Sequence, residues 1–155
     1  MNRVEAIQSI YENHEGALFI ICNGLNSREA AYFCPRKTSF YMLHAMGESL
    51  SVGMGVASVR GDIEVVVIDG DGNALMGASS WTMNSYNNLH YYILVNSKYE
   101  TTGGQELPGN TEWPSWCKKI TIVGDNNKAS PNPPPPEKIW IDTQVWLNGN
   151  DRSVI

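Results

Sequence analysis

Apolar residues along this chain follow two rhythms. Val4, Ile7, Ile10 and Tyr11 recur at helical intervals, which predicts a short amphipathic helix over 2–13 with one face packed on a sheet. From Ala17 to Cys22 the run is continuous, as in a strand buried on both faces, and Asn23-Gly24 breaks it. Ser27 then stands where an N-cap belongs, ahead of a helical stretch over 28–33. The same unit returns with strands expected at 39–43 and 64–68 and helices at 48–59 and 73–87. Further strand-like runs follow at 90–95, 119–123 and 138–141.

Strands alternating with helices make an α/β fold, here a parallel six-stranded sheet sandwiched by helices. All 155 residues are read as one domain, a length sufficient for a substantial core without disulfides. Pro131 and the run Pro133 to Pro136 exclude helix or central strand over 126–137, so that stretch is expected to be an exposed polyproline spacer. Residues 147–155 read as a tail, frayed or free to dock on a partner.

Charge and cysteine content narrow the partners. A net charge of −5 without a long basic run argues against nucleic acid or an anionic membrane. No apolar stretch reaches membrane-spanning length and no signal-peptide pattern opens the chain, so a cytoplasmic location is expected. Cys22, Cys34 and Cys117 lack metal-site spacing and read as reduced thiols, with Cys22 a small buried hydrophobe closing its strand.

In open parallel sheets, ligands gather beyond the carboxyl ends of the strands. Four segments therefore carry the candidate chemistry: Asn23 to Asn26, His44 to Glu48, Asp69 to Asn73 and Asn96 to Gln105. Gly70-Asp71-Gly72 lies between a buried strand and a helix, where its glycines permit a tight turn and close approach of a ligand. Such a tripeptide alone is also an ordinary turn. Asn96 changes its meaning, because one helix and one strand separate it from Asp71 and bring the two side chains to neighbouring strand ends. The Asp71 carboxylate, the Asn96 amide oxygen and the Lys98 backbone carbonyl offer three ligands for an octahedral Mg2+ ion, with diphosphate oxygens and water completing the shell.

That pairing resembles the signature of thiamine-diphosphate-dependent enzymes. Ala45 to Ser49, Gly70 to Met76, and Tyr99-Glu100-Thr101-Thr102-Gly103-Gly104-Gln105 are similar to the matching segments of sulfopyruvate and phosphonopyruvate decarboxylases, over roughly residues 38–107. The chain's short length resembles a separate beta subunit of the former. The resemblance implies thiamine diphosphate and Mg2+ as cofactors and a small 2-oxo acid as substrate. It makes Met46 the apolar wedge that bends the cofactor, and the His44 backbone carbonyl the acceptor for its 4′-amino group. Gly47, Glu48 and Ser49 would meet the diphosphate at one helix start, and Asn73 and Ala74 at the next. Thr101 to Gln105 would form a loop closing over the diphosphate or substrate, and Tyr99 would join the cofactor-binding residues.

Plainer readings accompany these roles. Met46 could be core, Ser49 and Asn73 helix caps, and His44 a surface or packing residue. The sequence also departs from the family at three points. His44 stands where relatives often have Gly, Glu48 where they have a neutral residue, and Val95 where they often have Asp or Asn. The glutamate that activates thiamine diphosphate lies on the family's pyrimidine-binding domain and has no counterpart here. A separate pyrimidine-binding-domain subunit is therefore expected as a partner in a hetero-oligomer, and this chain alone is expected to be inactive. A carboligase or synthase subunit, a 2-oxoacid:ferredoxin oxidoreductase beta subunit, and a non-catalytic cofactor-binding subunit remain alternatives.

Overall fold

The structure is a computed structural model and describes residues 1–83, 86–123 and 130–149. Five parallel strands form one sheet in the order β2-β1-β3-β4-β5: β1 (Leu18–Ile21), β2 (Ser39–Tyr41), β3 (Val65–Gly70), β4 (Leu89–Val95) and β5 (Lys118–Thr121). Side-chain alternation sends Phe19, Ile21, Val66 and Ile68 to one face and Leu18, Ile20, Val65 and Val67 to the other. Both faces are covered by apolar side chains, which explains why these strands read as unbroken apolar runs.

Helix α1 (Arg3–Asn13) opens with a capping box between Asn2 and Glu5. It buries Ala6, Ile7, Ile10 and Tyr11 on the first face, beside α2 (Leu25–Phe33). On the opposite face α3 (Ser49–Val59) presses so close to β3 that a Cβ at Gly53 would overlap the Val67 side chain. After β3 the chain forms α4 (Asp71–Met76) and then a 3-10 helix (Ala78–Met83), not the single helix expected over 73–87. Gly77 makes the break, because it packs against the backbone of Gly47.

Further expectations need correction. The sheet has five strands rather than six, since the expected strand at 138–141 lies inside α5 (Pro136–Leu147). Pro136 is compatible with a first helical turn, where no intrahelical N–H bond is needed, and Ile139 and Thr143 are buried one helical turn apart. A short apolar run is ambiguous between the two periodicities, and helical packing prevails here. Ser27 is not an N-cap. Helix α2 starts at Leu25, and the Ser27 hydroxyl donates to the carbonyls of Ile21 and Cys22 at 3.0 and 2.8 Å.

Of the expected spacer, residues 126–129 lie outside the described residues, Ser130 is buried with its carbonyl accepting from Arg28, and Pro136 and Glu137 belong to α5. Of the expected tail, 150–155 lie outside the described residues, while Leu147 ends α5 and its carbonyl accepts from Arg60. Among the described residues no helix is long and apolar enough to cross a membrane.

Candidate functional site

The strand order reverses between β1 and β3, so the loops leaving those two strands diverge and open a crevice beyond their carboxyl ends. A half-open cleft lies there. Its walls come from the loop after β1 (Asn23, Gly24), the turn after β3 (Gly70 to Asn73), the loop after β4 (Asn96, Lys98 to Thr102) and Met46. Three of the four sequence-selected segments thus form its walls, and the fourth contributes Met46 alone.

Asp71 is at the centre. It is 3% exposed, and its carboxylate accepts three backbone amides: Gly72 at 2.8 Å, Asn96 at 2.8 Å and Ser97 at 2.6 Å. Burial pushes its carboxyl pKa up, against the pull of those amides. Asp71 therefore ties the start of α4 to the end of β4, fixing the distance between the two sequence-selected ligands. Ser97, at φ 62°, takes the left-handed conformation that aims its amide at this carboxylate.

Asn96 is oriented from its other side. Its Nδ2 donates to Glu100 Oε2 at 2.9 Å, and the same oxygen accepts from Arg3 Nη2 at 2.6 Å. Arg3, only 6% exposed, also pairs with Glu29 at 3.0 Å. With its amide nitrogen engaged, Asn96 must turn Oδ1 the other way, where it accepts the Lys98 amide at 3.0 Å. Arg3 and Glu100 were not singled out by motif reading. The signal for Glu100 was its place inside the Tyr99 to Gln105 string, whereas Arg3 gave none.

Asp69 opens one of the four candidate segments, where the motif gives it no role of its own. It is fully enclosed and gathers Ser49 Oγ at 2.7 Å, Tyr91 Oη at 3.0 Å, the Gly70 amide at 3.0 Å and Asn73 Nδ2 at 2.5 Å. Burial raises its pKa, and these donors oppose the rise. The Asn73 side chain also accepts the Gly47 amide at 2.9 Å. One buried carboxylate thus locks the start of α3 to the start of α4. A charged residue closing an apolar strand was the available clue.

This lock engages the side chains of residues whose backbone amides are the expected diphosphate ligands. Ser49 and Asn73 spend their side chains on Asp69 and Gly47, and neither gives its own helix a side-chain cap. Ala74 is buried in the core beneath. His44 and Glu48 are exposed and lie outside the cleft walls, so the Glu48 carboxylate turns away from any anion bound there. Met46 is half exposed on the rim, with Met76 beside it at 47%. Its loop is held by Ala45 at φ 61°, Gly47 at φ 88°, and packing of the Gly47 backbone against Gly77.

Tyr99 lies with its ring over Gly72, so close that a Cβ there would come within 2.7 Å of it. Backbone bonds from the Tyr99 carbonyl to the amides of Thr102 and Gly104, and from Tyr99 N to the Gln105 carbonyl, close the following loop on itself. Thr101 is exposed at its tip, near Gly24 across the cleft.

Residues 23–133 match the family described as thiamine pyrophosphate enzyme, C-terminal TPP binding domain. The chain belongs to this family. It is 41% identical over 108 residues to the sulfopyruvate decarboxylase subunit beta of Methanocaldococcus jannaschii, an alignment covering 67% of this chain and 57% of that protein. With the subunit beta of Methanothermobacter thermautotrophicus the identity is 40%, over 68% of this chain and 58% of the other. Phosphonopyruvate decarboxylase of Streptomyces hygroscopicus is 38% identical over 66% of this chain and 26% of its own length. The chain thus spans just over half of the beta subunits and about a quarter of the phosphonopyruvate decarboxylase.

The residues present offer the donor chemistry of a hard divalent cation. Asp71 is a buried carboxylate whose three partners are amides and not cations, so a positive charge there would offset its burial. Asn96 turns a hard amide oxygen to the same loop, the donor type that Mg2+ prefers. Glu100 adds a buried carboxylate oxygen, Oε1, without a protein partner.

Cys22 also lines the cleft, buried, with Asn26 Nδ2 donating to its sulfur at 3.2 Å. Burial and the nearby Asp69 push its thiol pKa well up, while burial raises that of Cys34 to about 11. Iodoacetamide at neutral pH is expected to leave Cys22 unmodified in folded protein and to label it in urea. Mass spectrometry of the labelled peptides checks this; rapid native labelling of Cys22 would contradict it.

Proposed function

We propose that this chain is the diphosphate-binding subunit of a thiamine-diphosphate-dependent decarboxylase acting on a small 2-oxo acid of the sulfopyruvate or phosphonopyruvate type. The supporting observation is the junction of Asp71 and Asn96 at adjacent strand ends, with the Asn96 oxygen oriented by Glu100 and Arg3. Asp71, Asn96 and the Lys98 carbonyl are the residues that would hold Mg2+. Gly70, Gly72 and Tyr99 would bound the diphosphate, and Thr101 the outer side of its loop. When bound, thiamine diphosphate supplies the electron sink that lets a 2-oxo acid lose carbon dioxide.

Met46 would support the cofactor's bend from the rim, where a partner subunit covers it. That partner would carry a pyrimidine-binding domain and the activating glutamate. Without it the cleft stays open along the exposed Met46 and Met76. The names of the beta-subunit relatives support a two-chain assembly.

The test is reconstitution with a separately expressed pyrimidine-domain chain, Mg2+ and thiamine diphosphate, followed by carbon dioxide release from a panel of 2-oxo acids. Release is expected only with both chains present, and fastest for substrates carrying a second anion. A complex that retains cofactor but releases no carbon dioxide from any of them would overturn the decarboxylase reading and favour a non-catalytic subunit.

A further inference from the structure

At the opposite end of the sheet, beside the amino ends of β3 and β4, three side chains converge that the cofactor cleft does not use. Glu64 immediately precedes β3, His90 is the second residue of β4, and His14 follows α1. Glu64 Oε1 lies 2.7 Å from His14 Nδ1 and 2.9 Å from His90 Nε2, and the three ligand atoms fall within 4.8 Å of one another. The six residue steps from Glu64 to Gly70 along β3 separate this cluster from the cleft by about 20 Å.

We propose that His14, Glu64 and His90 form a binding site for a divalent transition ion, with zinc the best match. Two imidazole nitrogens and one carboxylate oxygen are a donor set suited to zinc, whereas Mg2+ favours oxygen ligands alone. Tetrahedral bonds of about 2.0 Å set neighbouring ligand atoms about 3.3 Å apart, so the two imidazoles would retreat from Glu64 by roughly half an ångström and close on each other around the ion.

The surroundings of His14 complete the argument. His14 is 7% exposed, and its outer nitrogen, Nε2, lies 2.8 Å from Tyr92 Oη. Lys118 Nζ donates to the same phenol at 3.0 Å. A metal-bound histidine needs a partner for its outer nitrogen to fix the ring, and Tyr92 is in place for that. The Lys118 ammonium opposes a second cation nearby, and the Glu64 carboxylate offsets it. Glu64 and His90 are about one-third exposed, which leaves solvent to fill the fourth position. The three ligands come from distant parts of the sequence, so a bound ion would clip the end of α1 to the sheet.

The test uses the full chain stripped with EDTA and titrated with Co2+ as a spectroscopic stand-in for zinc. The tightest equivalent bound by the wild type is expected to give the visible d–d absorption of a histidine-ligated ion. Affinity of that equivalent should fall about tenfold or more in His90→Gln and in Glu64→Gln. Zinc should also raise the melting temperature of the wild type and protect His14 and His90 from diethylpyrocarbonate, a reading that requires no variant to fold. Absence of binding below millimolar Co2+, or binding that His90→Gln leaves intact, would overturn the proposal. Loss of binding in Asp71→Asn alone would place the ion in the cofactor cleft and overturn it equally.

Discussion

Replacing Gly77 with Ala is expected to destabilise the chain by on the order of 3 kcal/mol, because the new methyl group would occupy the space of the Gly47 carbonyl. Gly77 has φ −97°, which alanine accepts readily, so the cost comes from the close approach alone. The obstructing atoms are backbone on both sides and cannot swing away as a side chain would. Relief requires the loop carrying Met46 to move off the start of α4, breaking the bond from the Gly47 amide to Asn73. Gly55→Ala is the control. It stands in the interior of α3 with open space around it, and alanine there should stabilise by about 0.5–1 kcal/mol. Urea denaturation of the two variants checks both signs, and equal stabilities would refute the packing argument.

Asp71→Ala is expected to have the second large effect, one that reaches both stability and cofactor binding. It leaves the amides of Gly72, Asn96 and Ser97 without their acceptor. Part of that loss is recovered by water entering the cleft, so a cost of about 2 kcal/mol is expected. The pH dependence gives a separate signature. Burial raises the Asp71 carboxyl pKa in the folded state above its unfolded value, so its protonated form is favoured by folding. Its contribution to stability is therefore fully present below the unfolded pKa near 4 and is lost as pH rises through the native pKa. Asp69, raised for the same reason, behaves alike. Without bound cation, the wild type should lose stability as pH rises from about 4, and Asp71→Asn should lose less. Urea midpoints across that range measure the difference.

The layout of the fold was legible because β1, β3 and β4 are buried on both faces and so appear as continuous apolar runs bounded by turn residues. The sixth strand failed for the converse reason. Ile139, Trp140 and Ile141 form a run too short to show a period, and only the burial of Ile139 with Thr143 reveals a helix. The outline of the site was legible through Gly70-Asp71-Gly72 and Asn96, since both stand at strand ends. Their supports were not. Asp69 acts through Ser49, Asn73 and Tyr91, and Asn96 is oriented through Glu100 by Arg3, a residue from the other end of the sequence. Such networks arise from tertiary proximity and leave no spacing to read. Glu48 illustrates the same limit: one residue of helix rotation turns its carboxylate to solvent while Ser49 beside it is fully buried.

The central claim is that Asp71 holds the metal through which thiamine diphosphate binds. Its most direct test is the amount of thiamine diphosphate retained by the complex with a pyrimidine-domain chain, measured with Mg2+ and with EDTA for wild type and Asp71→Asn. One equivalent per cleft is expected in the wild type with Mg2+, falling to background with EDTA or with the substitution. Equal retention by the two proteins, or retention indifferent to EDTA, would contradict the account.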